Sequence, residues 1–313
     1  MNTKKPIVSF CIPTNGVSEW VIPVLDSIFK QNVDESLFEV VIGDNGNNNK
    51  FKNDINIYLE KYSNIHYFKI ISELFLSEIE TYSKAQGLFI KFVNHRSVLI
   101  DGTVHRFIQF AKDNQNERPI VYFSNGVLEG VGDINEYNSF NDFVRRLSYF
   151  SSWSSGMAIW KDDLDYLLLN NDYKEFNELF PHTTILFGFR DRKKYIVDNN
   201  VFFNEIDSGE KPKGKYDVFY AFGIEYPNII YNLYKDNSIS KETFEFVKYR
   251  NLGFIGRLYI NYIVLRQYTS YDLSGFNNIF GKYYTKLELY RAIIRKSFWK
   301  ANKEIRKNLG LKI

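Results

Sequence analysis

The chain has 313 residues, of which 44% are hydrophobic and 25% charged, a balance that is typical of a globular protein with a sizeable core. Its formal net charge of +3 is too small to indicate a nucleic-acid-binding protein, and its single cysteine, Cys11, excludes an intrachain disulfide and a multi-cysteine zinc site. The sequence contains no apolar run long enough to span a membrane and begins without a recognisable signal peptide, so it predicts a cytoplasmic protein.

The first 45 residues contain two short apolar segments separated by a segment of helical length. The apolar segments are V-S-F-C-I-P-T-N (residues 8–15) and F-E-V-V-I-G-D-N (residues 38–45), and both end in polar residues. Between them, residues 19–30 have apolar side chains at the three- and four-residue spacing of an amphipathic helix. This order predicts a β-α-β unit with parallel strands, and ligands of open α/β sheets bind beyond the carboxyl ends of such strands.

The turns after these two segments resemble a known family. I-P-T-N at residues 12–15 and I-G-D-N at residues 42–45 resemble the start of family 2 glycosyltransferases of the GT-A fold. The resemblance implies an α/β fold with a Rossmann-type mixed sheet flanked by helices. It also implies that Pro13, Thr14, Asn15 and Asp44 hold the nucleotide of a sugar donor, Asp44 by accepting a hydrogen bond from the base. A simple turn role for these polar residues is the alternative.

Helices and strands are predicted to alternate up to residue 123. The apolar pattern indicates helices at 50–61 and 76–86 and strands at 65–71, 88–93 and 120–123, and the Gly/Asn-rich residues 126–141 predict a loop. Three carboxylates, Asp162, Asp163 and Asp165, suit the first turn of a helix better than a metal site, because the helix dipole favours negative charge there.

A departure from the family pattern follows the strand predicted at 88–93. The resembled transferases have an acidic D-x-D cluster here, which binds a divalent metal at the donor diphosphate. Asn94, His95 and Arg96 replace those acids within a retained V-L-x-x-G frame. Because a guanidinium forms bidentate bonds with phosphate, the replacement predicts a diphosphate site that needs no metal. Mn²⁺ or Mg²⁺ is the alternative, with Asp101 as a lone ligand unless it caps the helix predicted at 103–112.

The segment N-E-L-F-P-H-T-T-I-L (residues 177–186) contains the candidates for catalysis. An inverting transferase needs a base that takes the proton of the attacking hydroxyl. A branch of the family resembling O-antigen and capsule transferases has a P-H element beside the donor phosphates or the acceptor, which implies a site role for His182. Glu178 is the first carboxylate candidate for the base, and Glu175 is the second. Capping of the following helix is the structural alternative for His182.

The basic loop at 209–215 marks a predicted boundary between a GT-A-like domain (residues 1–208) and a helical C-terminal extension (residues 209–313). Helices are predicted near 217–235, 240–267 and 284–309. Residues 291–313 contain eight Lys or Arg against one Glu, so the last helix predicts attachment to a membrane surface, with a docked helix as the alternative. Its apolar face comprises Leu287, Tyr290, Ile294, Phe298, Ala301, Ile305 and Leu309.

The residues and the resemblance together predict an inverting glycosyltransferase that moves a sugar from a nucleotide donor, UDP-linked, to a growing lipid-linked surface polysaccharide of the capsule type. Its expected partners are the nucleotide sugar, the glycan acceptor and the inner face of the cell membrane. Loss of the acidic cluster supports an alternative, a non-catalytic relative that binds nucleotide sugars and organises polysaccharide assembly. A Rossmann-type dinucleotide enzyme is disfavoured because no G-x-G-x-x-G follows the first strand.

Overall fold

The computed structural model describes residues 5–170, 176–207, 209 and 214–295. The chain divides into two units, residues 1–208 and residues 209–313. The first unit contains a mixed sheet with helices on its faces, and the second is helical. The expected α/β class and mixed sheet are therefore confirmed.

The predicted β-α-β unit is present. Strand β1 (Val8–Thr14) and strand β2 (Phe38–Asp44) run parallel and are joined by helix α1 (Ser18–Phe29). Their register pairs Val8 with Phe38 at one end and Thr14 with Asp44 at the other. The polar ends of both strands therefore lie side by side at the carboxyl edge of the sheet.

The sheet grows outward from these two central strands in the order β3-β2-β1-β4-β8. Strand β8 pairs antiparallel with β4, whereas the other pairs are parallel. Four helices lie between strands of the first half of the unit. The elements are β3 (Ile65–Lys69), β4 (Phe89–Phe92), β8 (Ala158–Trp160), α2 (Asn49–Lys61), α3 (Leu76–Ser83) and α4 (Thr103–Asn114).

Two smaller sheets complete the first unit. One pairs β5 (Ser97–Leu99) with β10 (Phe203–Glu205), and the other has the order β6-β9-β7. Its strands are β6 (Ile120–Phe123), β7 (Ile134–Tyr137) and β9 (Tyr195–Asp198). The prediction of a loop throughout 126–141 is wrong at β7. That strand is exposed or half-buried along its length and is held by backbone pairing with β9, so it leaves no run of apolar residues to detect.

In the described part of the first unit, the remaining α-helices are α5 (Phe140–Leu147), α6 (Lys161–Asn170) and α7 (Pro181–Leu186). Asp162 and Asp163 lie in the first turn of α6, as expected from the helix dipole. Side chains on both faces of the main sheet are buried, and β1 and β2 are closed off from solvent along almost their whole length. This matches the near-continuous apolar runs that parallel strands require.

The second unit consists of helices and irregular turns. They are α8 (Val218–Tyr220), α9 (Tyr226–Lys235), α10 (Lys241–Leu258) and α11 (286–295), with π-helical turns at Ala221–Glu225 and Tyr259–Val264. Ser240 caps α10 by accepting the Thr243 N–H. The part of the last predicted helix beyond residue 295 lies outside the described residues. No helix in the described ranges is long and apolar enough to cross a membrane.

Candidate functional site

Two turns meet at the carboxyl edge of β1 and β2. The Asn45 N–H donates to the Thr14 carbonyl at 3.0 Å, and the side-chain amide of Asn48 donates to the Gly16 carbonyl at 2.8 Å. The Oδ1 atom of Asn48 also accepts the first N–H groups of α2, so one side chain fixes both the first turn and the start of a helix. The first turn and the Asp44 turn therefore form a single edge.

Glycines allow these turns to approach each other. Gly16 has a φ of +76°, which glycine adopts without the strain of other residues. A Cβ at Gly46 would overlap the carbonyl oxygen of Asn15. The Lys69 ammonium donates to the Gly46 carbonyl and holds that turn from the other side. Asn15 itself is exposed, and Pro13 is half-buried opposite Gly43 of β2.

Asp44 is fully buried, and both of its carboxylate oxygens accept hydrogen bonds from the protein. The Gly46 N–H donates to Oδ1 at 2.7 Å, and the Tyr67 hydroxyl donates to Oδ2 at 2.7 Å. Each carboxylate oxygen can accept a further bond. Because Asp44 is closed off from solvent, a nucleotide base would reach this carboxylate only after neighbouring side chains moved, and Tyr67 is the side chain bonded to Oδ2.

The residues that replace the acidic cluster form a tight turn directly after β4. The Asn94 Oδ1 atom accepts the Arg96 N–H at 3.0 Å, and the Asn94 carbonyl accepts the Ser97 N–H at 2.8 Å. All of Asn94, His95 and Arg96 are half-buried. Asn94 thus shapes the turn, which leaves His95 and Arg96 as the side chains available to a ligand.

His95 connects this turn to the first one. Its Nδ1 atom lies 3.0 Å from Thr14 Oγ1, which also accepts the Gly16 N–H at 3.1 Å. Burial, with a smaller contribution from Arg96, lowers the pKa of His95 from its usual 6.5 to about 4. The imidazole is therefore neutral near pH 7. If the Thr14 hydroxyl donates to Nδ1, the Nε2 atom carries the remaining proton and can donate to a phosphate oxygen.

Arg96 lies over the ring of Trp20, a buried residue near the start of α1. The guanidinium carbon is 5.4 Å from the centre of the indole, and the His95 ring centre is 5.0 Å from the same indole. Within the described ranges the guanidinium has no ion pair or hydrogen bond, so its donors are available to an anion. Thr14, Asp44, Asn94, His95 and Arg96, from three strand ends, therefore belong to one region.

His182 occupies a different kind of environment. It is buried, and its Nε2 atom donates to the Ser152 carbonyl at 2.8 Å. Its Nδ1 atom is 3.3 Å from Glu78 Oε2, an ion-pair distance without the geometry of a hydrogen bond. Glu178 is exposed, and Glu175 lies outside the described residues. The roles predicted for these residues in catalysis stay predictions.

The carboxylates named as alternative metal ligands are engaged elsewhere. Asp101 pairs with Lys30 at 3.1 Å, and Gly102, not Asp101, precedes α4 as its cap residue, so the capping expectation is wrong. Asp162 pairs with Arg118 at 2.7 Å, and Asp163 pairs with Arg192. Among the residues that the structure describes, no group of three or more His, Cys, Asp or Glu side chains could hold a metal ion.

Two residues of this region were missed from the sequence. Trp20 lies within the segment predicted as an amphipathic helix, and Tyr67 lies within a segment predicted as a strand. Neither has a sequence signal of its own, because an aromatic residue at such a position is usually core. Their contacts with Arg96 and Asp44 depend on the tertiary arrangement of three separate segments.

No protein-family model matches this chain, and no curated protein matches it in sequence. Solved structures match it in fold. S. aureus TarS is 13% identical with a TM-score of 0.55 over 81% of this chain. TarS 1–349 in complex with UDP is 14% identical with a TM-score of 0.56 over 84% of this chain. TarS 1–349 in complex with UDP-GlcNAc is 13% identical with a TM-score of 0.55 over 92% of this chain.

These matches confirm the expected GT-A fold. The aligned part of this chain spans 43% of the TarS chain, 75% of TarS 1–349 with UDP and 81% of TarS 1–349 with UDP-GlcNAc. At this level of identity the likeness concerns the arrangement of strands and helices. Activity and ligands have to be argued from the side chains of this chain.

Proposed function

We propose that this protein is an inverting glycosyltransferase that transfers a sugar from a UDP-linked donor to a growing, lipid-linked surface polysaccharide. The observation that carries the proposal is the half-buried Arg96 guanidinium, which is stacked on Trp20 beside a neutral His95, at the carboxyl edge of the sheet. In open α/β sheets this edge is where nucleotides bind.

The side chains at this edge suit a diphosphate. A guanidinium can donate two parallel hydrogen bonds to phosphate oxygens, and a neutral imidazole can donate one more from Nε2. The preference for UDP is supported by structures of the same fold in complex with UDP and with UDP-GlcNAc. Asp44 would accept the N–H of the uracil ring once Tyr67 releases its Oδ2 atom.

The residues that stand in place of the acidic cluster do not fit a divalent cation. An amide, a neutral imidazole and a guanidinium offer at most two neutral donor atoms, and the guanidinium would repel a metal ion held beside it. We therefore propose that Arg96 neutralises the charge on the donor diphosphate and that His95 donates a hydrogen bond to it. Metal-independent transfer follows as part of the proposal.

The reaction requires three events at the anomeric carbon. An acceptor hydroxyl loses its proton to a base, its oxygen forms a bond with the anomeric carbon from the face opposite the nucleotide, and the bond from that carbon to the diphosphate oxygen breaks. UDP leaves with the electron pair, and Arg96 stabilises the negative charge that develops on it. Glu178 is the better candidate for the base because it is exposed, whereas His182 would have to leave its hydrogen bond with Ser152.

A second candidate function is a non-catalytic nucleotide-sugar-binding protein in polysaccharide assembly. The burial of His182 favours it, because this candidate base is not accessible in this conformation. Both candidates require binding of the donor through Arg96. They differ in whether bound donor is consumed.

An assay for UDP release separates the two candidates. The protein is incubated with UDP-GlcNAc and other UDP-sugars in the presence of EDTA, with a membrane extract as the source of acceptor. An enzyme should release UDP, Arg96→Ala should lose that activity, and Arg106→Ala should keep it, since Arg106 also lies over an aromatic ring but on α4. Binding of a UDP-sugar without release by the wild-type protein would favour the assembly role.

A further inference from the structure

Helix α11 (286–295) carries apolar side chains on two opposite faces. Leu289 and Ala292 are buried, whereas Leu287, Tyr290 and Ile294 are 58%, 46% and 53% exposed. The exposed residues are spaced by three and four positions and so form one stripe along the helix. We name these three residues the outer stripe.

The inner face of α11 already has its partner within the second unit. A Cβ added at Gly256 of α10 would lie 3.1 Å from Ile293 and 3.8 Å from Leu289, so the two helices are closely packed there. At 100° per residue, the centre of the outer stripe lies about a third of a turn away from this contact. The exposed side chains of Leu287 and Ile294 are therefore not needed for docking α11 on α10.

The polar residues of α11 leave positive charge beside the outer stripe. Glu288 is used in a capping box: its Oε2 atom accepts the Thr285 N–H at 2.8 Å, and the Thr285 Oγ1 atom accepts the Glu288 N–H. Arg291 and Arg295 are exposed and have no ion pair or hydrogen bond among the described residues. They follow Leu287 by four and eight positions, so they flank the stripe on one side.

Tyr290 of the outer stripe contacts the segment that follows α10, which also carries exposed apolar side chains. The rings of Tyr259 and Tyr290 are in contact, with centres 6.5 Å apart. Tyr259 begins the π-helical turn that ends in Val264, and the residues after it remain exposed. Val264, Leu265 and Tyr268 are 56%, 60% and 68% exposed. Large apolar groups are rarely clustered on a free surface without a partner.

We propose that this face of the second unit, with the outer stripe and its flanking arginines, docks on an anionic phospholipid bilayer. Aliphatic and tyrosine side chains beside exposed cations are typical of a helix that lies in the membrane interface. The sequence continues in the same way, with six Lys or Arg and Phe298-Trp299 within residues 296–313. The charge favours an anionic lipid surface over a second copy of this chain, because a second copy carries the same positive charge beside its stripe.

The inference stands apart from the reaction proposed for the first unit. A transferase and an assembly protein would both gain from a position beside a lipid-linked glycan. Membrane binding can therefore be present when UDP-sugar turnover is absent, and the two proposals can fail independently.

Vesicle cosedimentation tests the proposal. The full chain is mixed with vesicles of equal parts phosphatidylglycerol and phosphatidylcholine, or of phosphatidylcholine alone. We expect binding to the anionic vesicles that weakens with added salt. The double variant Leu287→Glu/Ile294→Glu should lower the partition coefficient by about tenfold or more, because each substitution replaces a side chain that inserts into the bilayer.

Two further variants keep the result interpretable. Ile57→Glu makes the same change at a 64% exposed residue of α2 in the first unit and should bind vesicles as the wild type does. Arg291→Gln/Arg295→Gln keeps the apolar stripe. It should reduce binding to the anionic vesicles and leave any binding to phosphatidylcholine vesicles unchanged. Equal binding by the Leu287/Ile294 variant, or no binding by the wild type, would overturn the proposal. If the wild type self-associated without binding vesicles, and Leu287→Glu/Ile294→Glu abolished the self-association, the face would be assigned to contact with a second copy of this chain.

Discussion

The imidazole of His95 lies 3.0 Å from the hydroxyl of Thr14, although the two residues are 81 positions apart in the chain. The contact joins the turn after β4 to the turn after β1, and Trp20 packs against the same imidazole. Arg96 is thereby held beside the predicted nucleotide turn. The proposed metal-independent donor site depends on this arrangement.

The lowered pKa of His95 predicts a specific pH dependence of stability. Between its usual pKa of 6.5 and its folded value of about 4, the unfolded chain binds a proton that the folded chain does not. The free energy of unfolding should therefore fall as the pH decreases through this window and should stop responding to His95 below it. His95→Gln should remove this part of the slope in denaturant titrations, whereas His105→Gln, at an exposed position of α4, should keep it. A slope unchanged in His95→Gln would show that the imidazole titrates normally.

Gly46→Ala should separate the two turns of the site. The added Cβ would overlap the Asn15 carbonyl, and relief of that overlap requires backbone movement, for a loss of about 1–3 kcal/mol. We expect UDP affinity to fall by about tenfold or more in calorimetry. Gly102→Ala is the matched control, because its Cβ meets open space and only the left-handed backbone is unfavourable there. Equal affinity in both variants would place the ligand away from these turns.

The central β-α-β unit could be predicted because parallel strands buried on both faces leave apolar runs, and the helix between them has its own period. The position of the candidate site at the carboxyl edge could be predicted from the parallel order of the strands. Three features of the site could not be predicted, because each joins segments far apart in sequence. They are the packing of Arg96 on Trp20, the hydrogen bond from Tyr67 to Asp44 and the burial of His182 against Ser152. Strand β7 was missed because backbone pairing, and not burial, maintains it.

Tyr67 competes with the base for Asp44 in our account. Removing its hydroxyl frees Oδ2, so Tyr67→Phe should bind UDP more tightly, by about threefold to tenfold for one hydrogen bond of ordinary strength. Tyr58→Phe is the matched control, since Tyr58 makes an equivalent bond with Asp26 on the surface at 2.5 Å. A weaker affinity in Tyr67→Phe would mean that the tyrosine orients Asp44 for the ligand, and an unchanged affinity would argue against contact of Asp44 with the base.

Lys91 is a fully buried lysine within β4. Its ammonium donates to the carbonyls of Phe92, Ser155 and Met157 at 2.9, 2.7 and 3.1 Å. The three acceptors connect β4 to the segment that leads into β8. Burial lowers the pKa of Lys91 from its usual 10.5 to about 7. The three acceptors satisfy the donors of the ammonium, but burial still disfavours its charge.

This lysine makes stability depend on pH in a predictable direction. Between pH 7 and 10.5 the unfolded chain binds a proton that the folded chain does not, so the free energy of unfolding should rise with pH there. The contribution is about 1.4 kcal/mol per pH unit. The difference in unfolding free energy between wild type and Lys91→Met should change at this rate, whereas Lys112→Met, at an exposed site, should give a constant difference. A constant difference for Lys91→Met would show that the three carbonyls keep the ammonium charged throughout.

Calorimetric titration with UDP in the presence of EDTA is the most direct test of the donor site. We expect UDP to bind without a metal and Arg96→Ala to weaken binding by at least about tenfold, since the substitution removes a charge-assisted pair of hydrogen bonds to the diphosphate. Arg106→Ala should bind as the wild type does. Binding that requires Mn²⁺ and is unaffected by Arg96→Ala would contradict the proposed donor site. The absence of UDP binding both with EDTA and with Mn²⁺ would contradict it as well.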